Sequence, residues 1–207
     1  LKPSYERGSS SAAMNNSKKM IYDTFGDVKT VTDKTHTSMS AITLHARLAT
    51  TERGFANVHP FVLNGTSVIH NGQISNYKEI GIEQSTCDSE SILNLYTAFD
   101  VVKEPGNIQL VSDGLEGSFA CAAFGKVKEK TYILDLFKNA STNLHAAYID
   151  ELQAMVYATM ASDIVDACKK LDLTIIKAFE FHDNRMLRIN PITGVPMIYV
   201  DFKREFS

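Results

Sequence analysis

Three small groups of residues in this chain have the types and placement to handle an amino acid. The first is Arg47. Alternation along Ala41–Ala49 sends Ile42, Leu44, Ala46 and Leu48 to one face of a strand and Thr43, His45, Arg47 and Ala49 to the other. A guanidinium leaving a strand near its end can grip a carboxylate through two parallel hydrogen bonds; the plainer alternative is a surface arginine or an ion pair. The second group is Asn71-Gly72, after a strand at Thr66–His70. Such a pair makes either a tight turn or a donor couple, the side-chain amide and the glycine N–H, aimed at a developing oxyanion. The third is Asp88, which precedes a helical pattern. It can cap that helix, worth on the order of 1 kcal/mol, or hold an α-ammonium group.

Other reactive side chains offer less. His45, His59 and His70 have no familiar ligand spacing and no acidic cluster beside them, so they read as core or loop histidines, and neither a metal nor a cofactor is expected. Cys87 sits beside Asp88, whose charge raises a thiol's pKa and makes it a poor nucleophile. Ser9–Ser11 reads as a flexible or capping segment.

The elements that would position these groups alternate poorly between strand and helix. Strand-like runs cover 41–49, 66–71, 118–124, 131–136, 144–149, 154–159, 174–181, 185–189 and 196–201. Asp183-Asn184 reads as a hairpin turn between two of them, and Pro191 to Gly194 as another. Helical periodicity runs from Ser89 to Val102, with Ile92, Leu95, Tyr96 and Phe99 on one face. A second helix is expected over Ser162–Leu171, with Ile164, Val165 and Cys168 inward, and a third over Asn107–Leu115. Leu1–Met14 reads as the remnant of a further helix. Many strands with a few separate helices predict an α+β fold, with residues 1–207 as a single domain. The composition, 44% hydrophobic and 22% charged, is that of a globular protein. A net charge of -3 gives no footprint for nucleic acid. The apolar runs are too short to span a bilayer, and no secretory pattern opens the chain. Cys87, Cys121 and Cys168 lack disulfide-framework spacing, so a reducing, cytoplasmic setting is expected.

Taken in order, the motifs resemble those of the class II glutamine amidotransferase domain, within the N-terminal-nucleophile hydrolase superfamily. His45-Ala46-Arg47-Leu48-Ala49-Thr50, Asn57-Val58-His59-Pro60 and the run from His70 to Tyr77 are similar to that family's His-x-Arg-x-Ala-Thr, Asn-x-His-Pro and His-Asn-Gly-x-Ile-x-Asn-Tyr segments. Cys87-Asp88-Ser89-Glu90 resembles its Ser-Asp-Thr-Glu segment, and Leu115 to Ala120 its turn into a strand. The resemblance weakens beyond about Met160. It implies a four-layer αββα sandwich of two mainly antiparallel sheets flanked by helices. It also implies hydrolysis of the side-chain amide of L-glutamine to glutamate and ammonia. Arg47 would bind the substrate α-carboxylate with Thr50 in support, Asp88 would bind the α-ammonium, and Asn71 with Gly72 would form the oxyanion hole. His59 and Tyr77 would be scaffold.

In that family the attacking group is a cysteine at the mature N-terminus, with its own amine as base. Leu1 to Gly8 here resembles the family's first helix and Arg-Gly turn, so the segment bearing that cysteine is expected to lie ahead of Leu1. Leu48 stands where an aromatic is usual, Ser10 where an acid is usual, and Thr51-Glu52-Arg53-Gly54 where Thr-His-Gly is usual. With no acceptor domain downstream, ammonia would go to a partner protein or the activity would be a plain amidase. The competing reading is an inactive structural or interaction module, such as a subunit of a larger assembly. A third is a hydrolase of another amide, which would not need both Arg47 and Asp88.

Overall fold

The structure, a computed structural model, describes residues 9–15, 20–25, 39–46, 57, 59–82, 85–128 and 131–202. Among the described residues the strands are β1 (Ser9–Asn15), β2 (Met20–Phe25), β3 (Met39–Ala46), β4 (Phe61–Leu63), β5 (Thr66–Ile74), β6 (Gly117–Lys128), β7 (Thr131–Lys138), β8 (His145–Ile149), β9 (Ala154–Ala158), β10 (Ile175–Glu180), β11 (Arg185–Ile189) and β12 (Pro196–Asp201). The α-helices are α1 (Tyr77–Ile80), α2 (Ser89–Ala98), α3 (Ile108–Gly114) and α4 (Ala161–Leu171). One sheet has six strands in the order β12-β11-β7-β6-β5-β4; a second runs β10-β8-β9 and a third β2-β1-β3. Every pairing is antiparallel. None of the described helices is long and apolar enough to cross a membrane.

Alternation along the long strands sorts the core into layers. On β6, Phe119, Cys121 and Ala123 join Ile92, Leu93 and Tyr96 of α2 and Val111 of α3 in one buried cluster. Ala120, Ala122 and Phe124 face the other way, into a cluster with Ala146 of β8 and with Leu134, Leu136, Leu187 and Ile189. A third cluster joins Ala147 and Ile149 of β8 to Ile164 and Cys168 of α4. The sequence of layers is therefore α2 and α3, the six-stranded sheet, the β8–β10 sheet, and α4: the expected αββα sandwich. Full burial of an Ile92 or a Tyr96 stabilises such a layer by roughly 1.5–3 kcal/mol per side chain. β3 lies beside the inner layer, where Ala41 packs on the inter-sheet cluster.

All nine strand-like runs and the three long helices are present, and the departures have local causes. Residues 9–15, read as helix and capping segment, are the central strand of the third sheet; pairing on both edges outweighs the helix preference of Ala12 and Ala13. Helix α2 stops at Ala98 because Asp100 is left-handed (φ 49°) and the Val101 N–H returns to the Tyr96 carbonyl. Asp183-Asn184 closes no hairpin: β10 pairs with β8 and β11 with β7, so the chain changes sheets there. The turn at Pro191–Gly194 does join a hairpin, β11 to β12. Val165 is 37% exposed, leaving Ile164 and Cys168 as the inward pair of α4. On β3 the inward face is that of Thr43, which is buried, while Ile42 is 39% exposed.

Helix α2 is fixed to the sheet by a polar contact in the apolar layer. Arg188 of β11 donates from Nε and Nη2 to the two Asp135 carboxylate oxygens, at 2.8 and 2.7 Å. The same guanidinium donates to the Val101 and Val102 carbonyls just past α2, at 2.8 and 2.9 Å. Tyr96, on α2, donates its hydroxyl to Asp135. Both charges are buried. Burial raises the Asp135 carboxyl above its ordinary value despite these donors. Removing one partner of such a pair strands the other in a dry site. Arg188→Met is expected to lower unfolding free energy by about 3–5 kcal/mol. Tyr96→Phe, which leaves Asp135 its guanidinium, is expected to lower it by about 1–3 kcal/mol. Urea denaturation followed by circular dichroism measures both.

Candidate functional site

Two Asn-Gly pairs lie eight residues or fewer apart, and they do opposite things. Asn64-Gly65 has positive φ at both positions (50° and 77°) and makes the two-residue turn between β4 and β5. Asn71-Gly72 makes no turn. It continues β5 in register with Ala120 and Phe119 of β6. Gly72 has a φ of +146°, and a Cβ there would stand 2.1 Å from the Ser118 carbonyl oxygen and 2.7 Å from His70 Nε2. Any other residue at position 72 would have to displace backbone.

The backbone polarity of β5 follows from its partners. Phe119, opposite Gly72, gives its N–H to the Asn139 side chain and its carbonyl to the Asn139 N–H and Thr142 hydroxyl. The Gly72–Phe119 pair is therefore not bonded across the strands, and the Gly72 N–H turns to the opposite edge. β4 reaches only as far as Val68 along that edge. Beyond it the His70 carbonyl accepts from His45 Nε2 at 2.8 Å, and the Ile74 N–H donates to Asp88 Oδ2 at 2.7 Å. The Gly72 N–H lies between them. The Asn71 side chain falls on the face shared by Ile69 and Ala120. Asn71 is exposed, and its amide bonds to none of the described residues.

Asp88 does not cap its helix. Its backbone is already helical (φ -56°, ψ -27°), and its side chain makes no cap bond. The carboxylate instead crosses to β5, with the Cys87 thiol 3.6 Å from Oδ1. Cys87 is buried, consistent with its dismissal as a nucleophile.

A shell of side-chain amides holds these strands and loops in place. Asn57 and Thr86 bond reciprocally, Nδ2 to Oγ1 at 2.7 Å and backbone N–H to Oδ1 at 2.8 Å, which pins the loop leading to Asp88. Asn76 donates to the Gly114 carbonyl and accepts from the Glu116 N–H. Asn139 seats the start of β6 through the Phe119 N–H and the Gly117 carbonyl. His59 is buried, with its ring 3.9 Å from that of His45 and edge-on to Phe61 at 5.0 Å. Tyr77 packs on the helix-side core.

Of the sequence-derived residues, Gly72 and Asp88 share one strand edge, while Asn71 turns its side chain to the sheet face of Ile69 and Ala120. Arg47 and Thr50 lie outside the described residues. No group of three His, Cys, Asp or Glu side chains able to hold a metal occurs among the described residues. His70, read from the sequence as a core or loop histidine, is a core one: its buried ring bonds Ser89 Oγ at 2.9 Å and the Ser118 carbonyl at 3.2 Å. Its strand parity agrees, since His70 shares a face with Val68 and Ile74, both core residues.

No protein-family model matches the sequence, and no curated protein matches it. Solved structures do. The glutamine phosphoribosylpyrophosphate amidotransferase of B. subtilis, complexed with ADP and GMP, aligns with a TM-score of 0.68 and 18% identity over 90% of this chain. A structure described as the allosteric regulatory enzyme of purine biosynthesis aligns at 0.69, with the same identity and coverage. This chain spans 42% of the length of each of those two proteins. A glutamine aminotransferase class-II domain protein from Silicibacter pomeroyi aligns at 0.53, with 13% identity over 94% of this chain and 98% of its own. At these identities the likeness is one of fold, and the fold this chain carries is that of the class II glutamine amidotransferase domain.

Proposed function

We propose that this chain is the glutamine-hydrolysing domain of an amidotransferase, taking ammonia from the side-chain amide of L-glutamine and leaving glutamate. The observation that carries the reading is the position of Asp88. Its carboxylate is held by the Ile74 N–H, two residues along the same strand edge from the Gly72 N–H, rather than on its own helix. An anion acceptor and an oxyanion donor thus share one edge, which suits a substrate with a cation at one end and an amide at the other.

In this reading a cysteine at a mature N-terminus, as the resemblance implies, attacks the amide carbon with its thiol sulfur. The carbonyl π electrons move to oxygen, and the oxyanion is met by the Asn71 side-chain N–H and the Gly72 backbone N–H. The chain's free amine takes the thiol proton and delivers it to the departing nitrogen, which leaves as ammonia. Water then cleaves the thioester to glutamate. Asp88 holds the substrate ammonium, and Arg47 with Thr50 holds its carboxylate. The ammonia passes to an acceptor domain or partner protein, as the partial coverage of the two longer structures suggests. The reducing cytoplasm suits a thiol enzyme in which Cys87, Cys121 and Cys168 form no disulfide.

Two measurements test this. The intact protein is expected to convert L-glutamine to glutamate and ammonia in a coupled assay. Asn71→Ala is expected to lower kcat by about 10²–10³ with KM little changed, because the donor is needed most when the oxyanion forms. Absence of glutamine turnover by the intact protein would refute the proposal. Asp88→Asn keeps an acceptor for the Ile74 N–H but loses the charge. It is expected to raise KM for glutamine by about 10–100-fold, the worth of a hydrogen bond to a charged group. An analogue without the α-amino group should bind wild type and variant alike; a tenfold loss for that analogue would remove Asp88 from the ammonium site.

A further inference from the structure

We infer that His70, acting through Ser89, sets the distance between the Gly72 N–H and the Asp88 carboxylate, and so selects the glutamine side-chain length over that of asparagine. This rests on the glutamine reading above and adds to it a positioning residue that determines specificity.

The His70 ring is buried beneath Gly72 on the helix side of β5. Its Nε2 lies 3.2 Å from the Ser118 carbonyl oxygen, and its Nδ1 lies 2.9 Å from Ser89 Oγ. A carbonyl oxygen only accepts, so Nε2 carries the hydrogen. On a neutral ring Nδ1 then accepts, and the Ser89 hydroxyl donates. Burial holds the ring below its usual pKa, against the opposing pull of Asp88 and of the Ser118 bond, which keeps it in this neutral form. One imidazole thus joins β6 to Ser89, the first residue of α2 and the neighbour of Asp88.

The same ring bears on the donor end. A Cβ at Gly72 would stand 2.7 Å from His70 Nε2, so the ring fills the space a side chain would have taken and backs the Gly72 peptide. Along an extended strand the Gly72 and Ile74 N–H groups are about 6.6 Å apart, two residues at ~3.3 Å each. Asp88 Oδ2 sits 2.7 Å from the second. The α-nitrogen and amide oxygen of glutamine are separated by one more bond than those of asparagine, so the longer side chain reaches further between the two groups. Asparagine, one methylene shorter, has to release one end unless Asp88 moves. The Ser89–His70 bond opposes that movement where it matters, by tying the residue after Asp88 to the strand that carries Gly72.

The test is calorimetric binding of L-glutamine and L-asparagine to the intact protein, to Ser89→Ala and to His70→Asn, with unfolding midpoints measured alongside. Wild type is expected to favour glutamine by about 10–200-fold, the usual worth of one methylene. Ser89→Ala, which deletes the donor to the ring, is expected to bring the ratio to within about threefold of unity, chiefly by improving asparagine binding. His70→Asn, whose amide can still meet Ser89, is expected to keep most of the preference. A role confined to stability would weaken both ligands in proportion and leave the ratio unchanged, and that result would overturn the inference while the glutamine reading stands. Equal binding of the two amino acids by wild type would overturn the inference as well. Binding of neither would overturn both.

Discussion

β5 outruns its neighbour. β4 covers only its first three residues, so the backbone groups along the rest of that edge must find partners outside the six-stranded sheet. The structure answers twice with side chains from elsewhere: His45 of β3 meets the His70 carbonyl, and Asp88 meets the Ile74 N–H. Each answer ties a separate element to the same edge. The third sheet and the helix layer therefore converge where the ladder stops, with the Gly72 N–H between them. An uncovered stretch of strand is ordinarily a liability. Here it collects the groups the proposed chemistry requires.

Holding those groups takes rigidity from the helix layer and from the loops around it. Beneath, the Asp135–Arg188–Tyr96 contact locks α2 to β7 and β11, so the helix that follows Asp88 cannot slide along the sheet. Such a buried pair is weak evidence for net stability, since its desolvation offsets much of its attraction. Its directional bonds do define one position for the helix. In the loops, Asn57, Asn76 and Asn139 each use an amide as both donor and acceptor. A two-way amide fits loop backbone well, because a loop leaves N–H and C=O groups of both kinds unpaired.

The fold was legible because its signals are local. Period-two runs such as 131–136 and the helical stripe of Ile92 and Tyr96 record burial directly, and layers follow from which faces are apolar. What escaped was set by distant partners. Ser9–Asn15 became a strand because two other strands flank it, and nothing in its own small residues announces them. Asp183-Asn184 has turn chemistry but joins strands of different sheets, a difference that lies in β7 and β8 rather than in the turn. On β3 the polar side faces inward because His45 finds a carbonyl on β5, which a hydropathy pattern cannot foresee. The site was half legible for the same reason. Asn71, Gly72 and Asp88 stand out as residue types, whereas His70 and Ser89 look like ordinary core until their bond is seen.

Residues that forgo the local role their type prefers carry the most information about a site. Asn-Gly favours a turn, and Asn64-Gly65 makes one; Asn71-Gly72 lies in extended strand, where a glycine ordinarily weakens pairing. An aspartate before a helix favours the cap, and Asp88 leaves its helix uncapped to reach a strand. Each choice gives up on the order of 1 kcal/mol of local stability. A fold can absorb such losses one at a time. Two of them, at Gly72 and at the Ile74 N–H two residues along the same strand edge, are hard to account for by packing alone, because packing would be satisfied by the local role in both places. The proposed substrate would give the arrangement its sense, being cationic towards Asp88 and carrying an electron-rich oxygen towards Gly72.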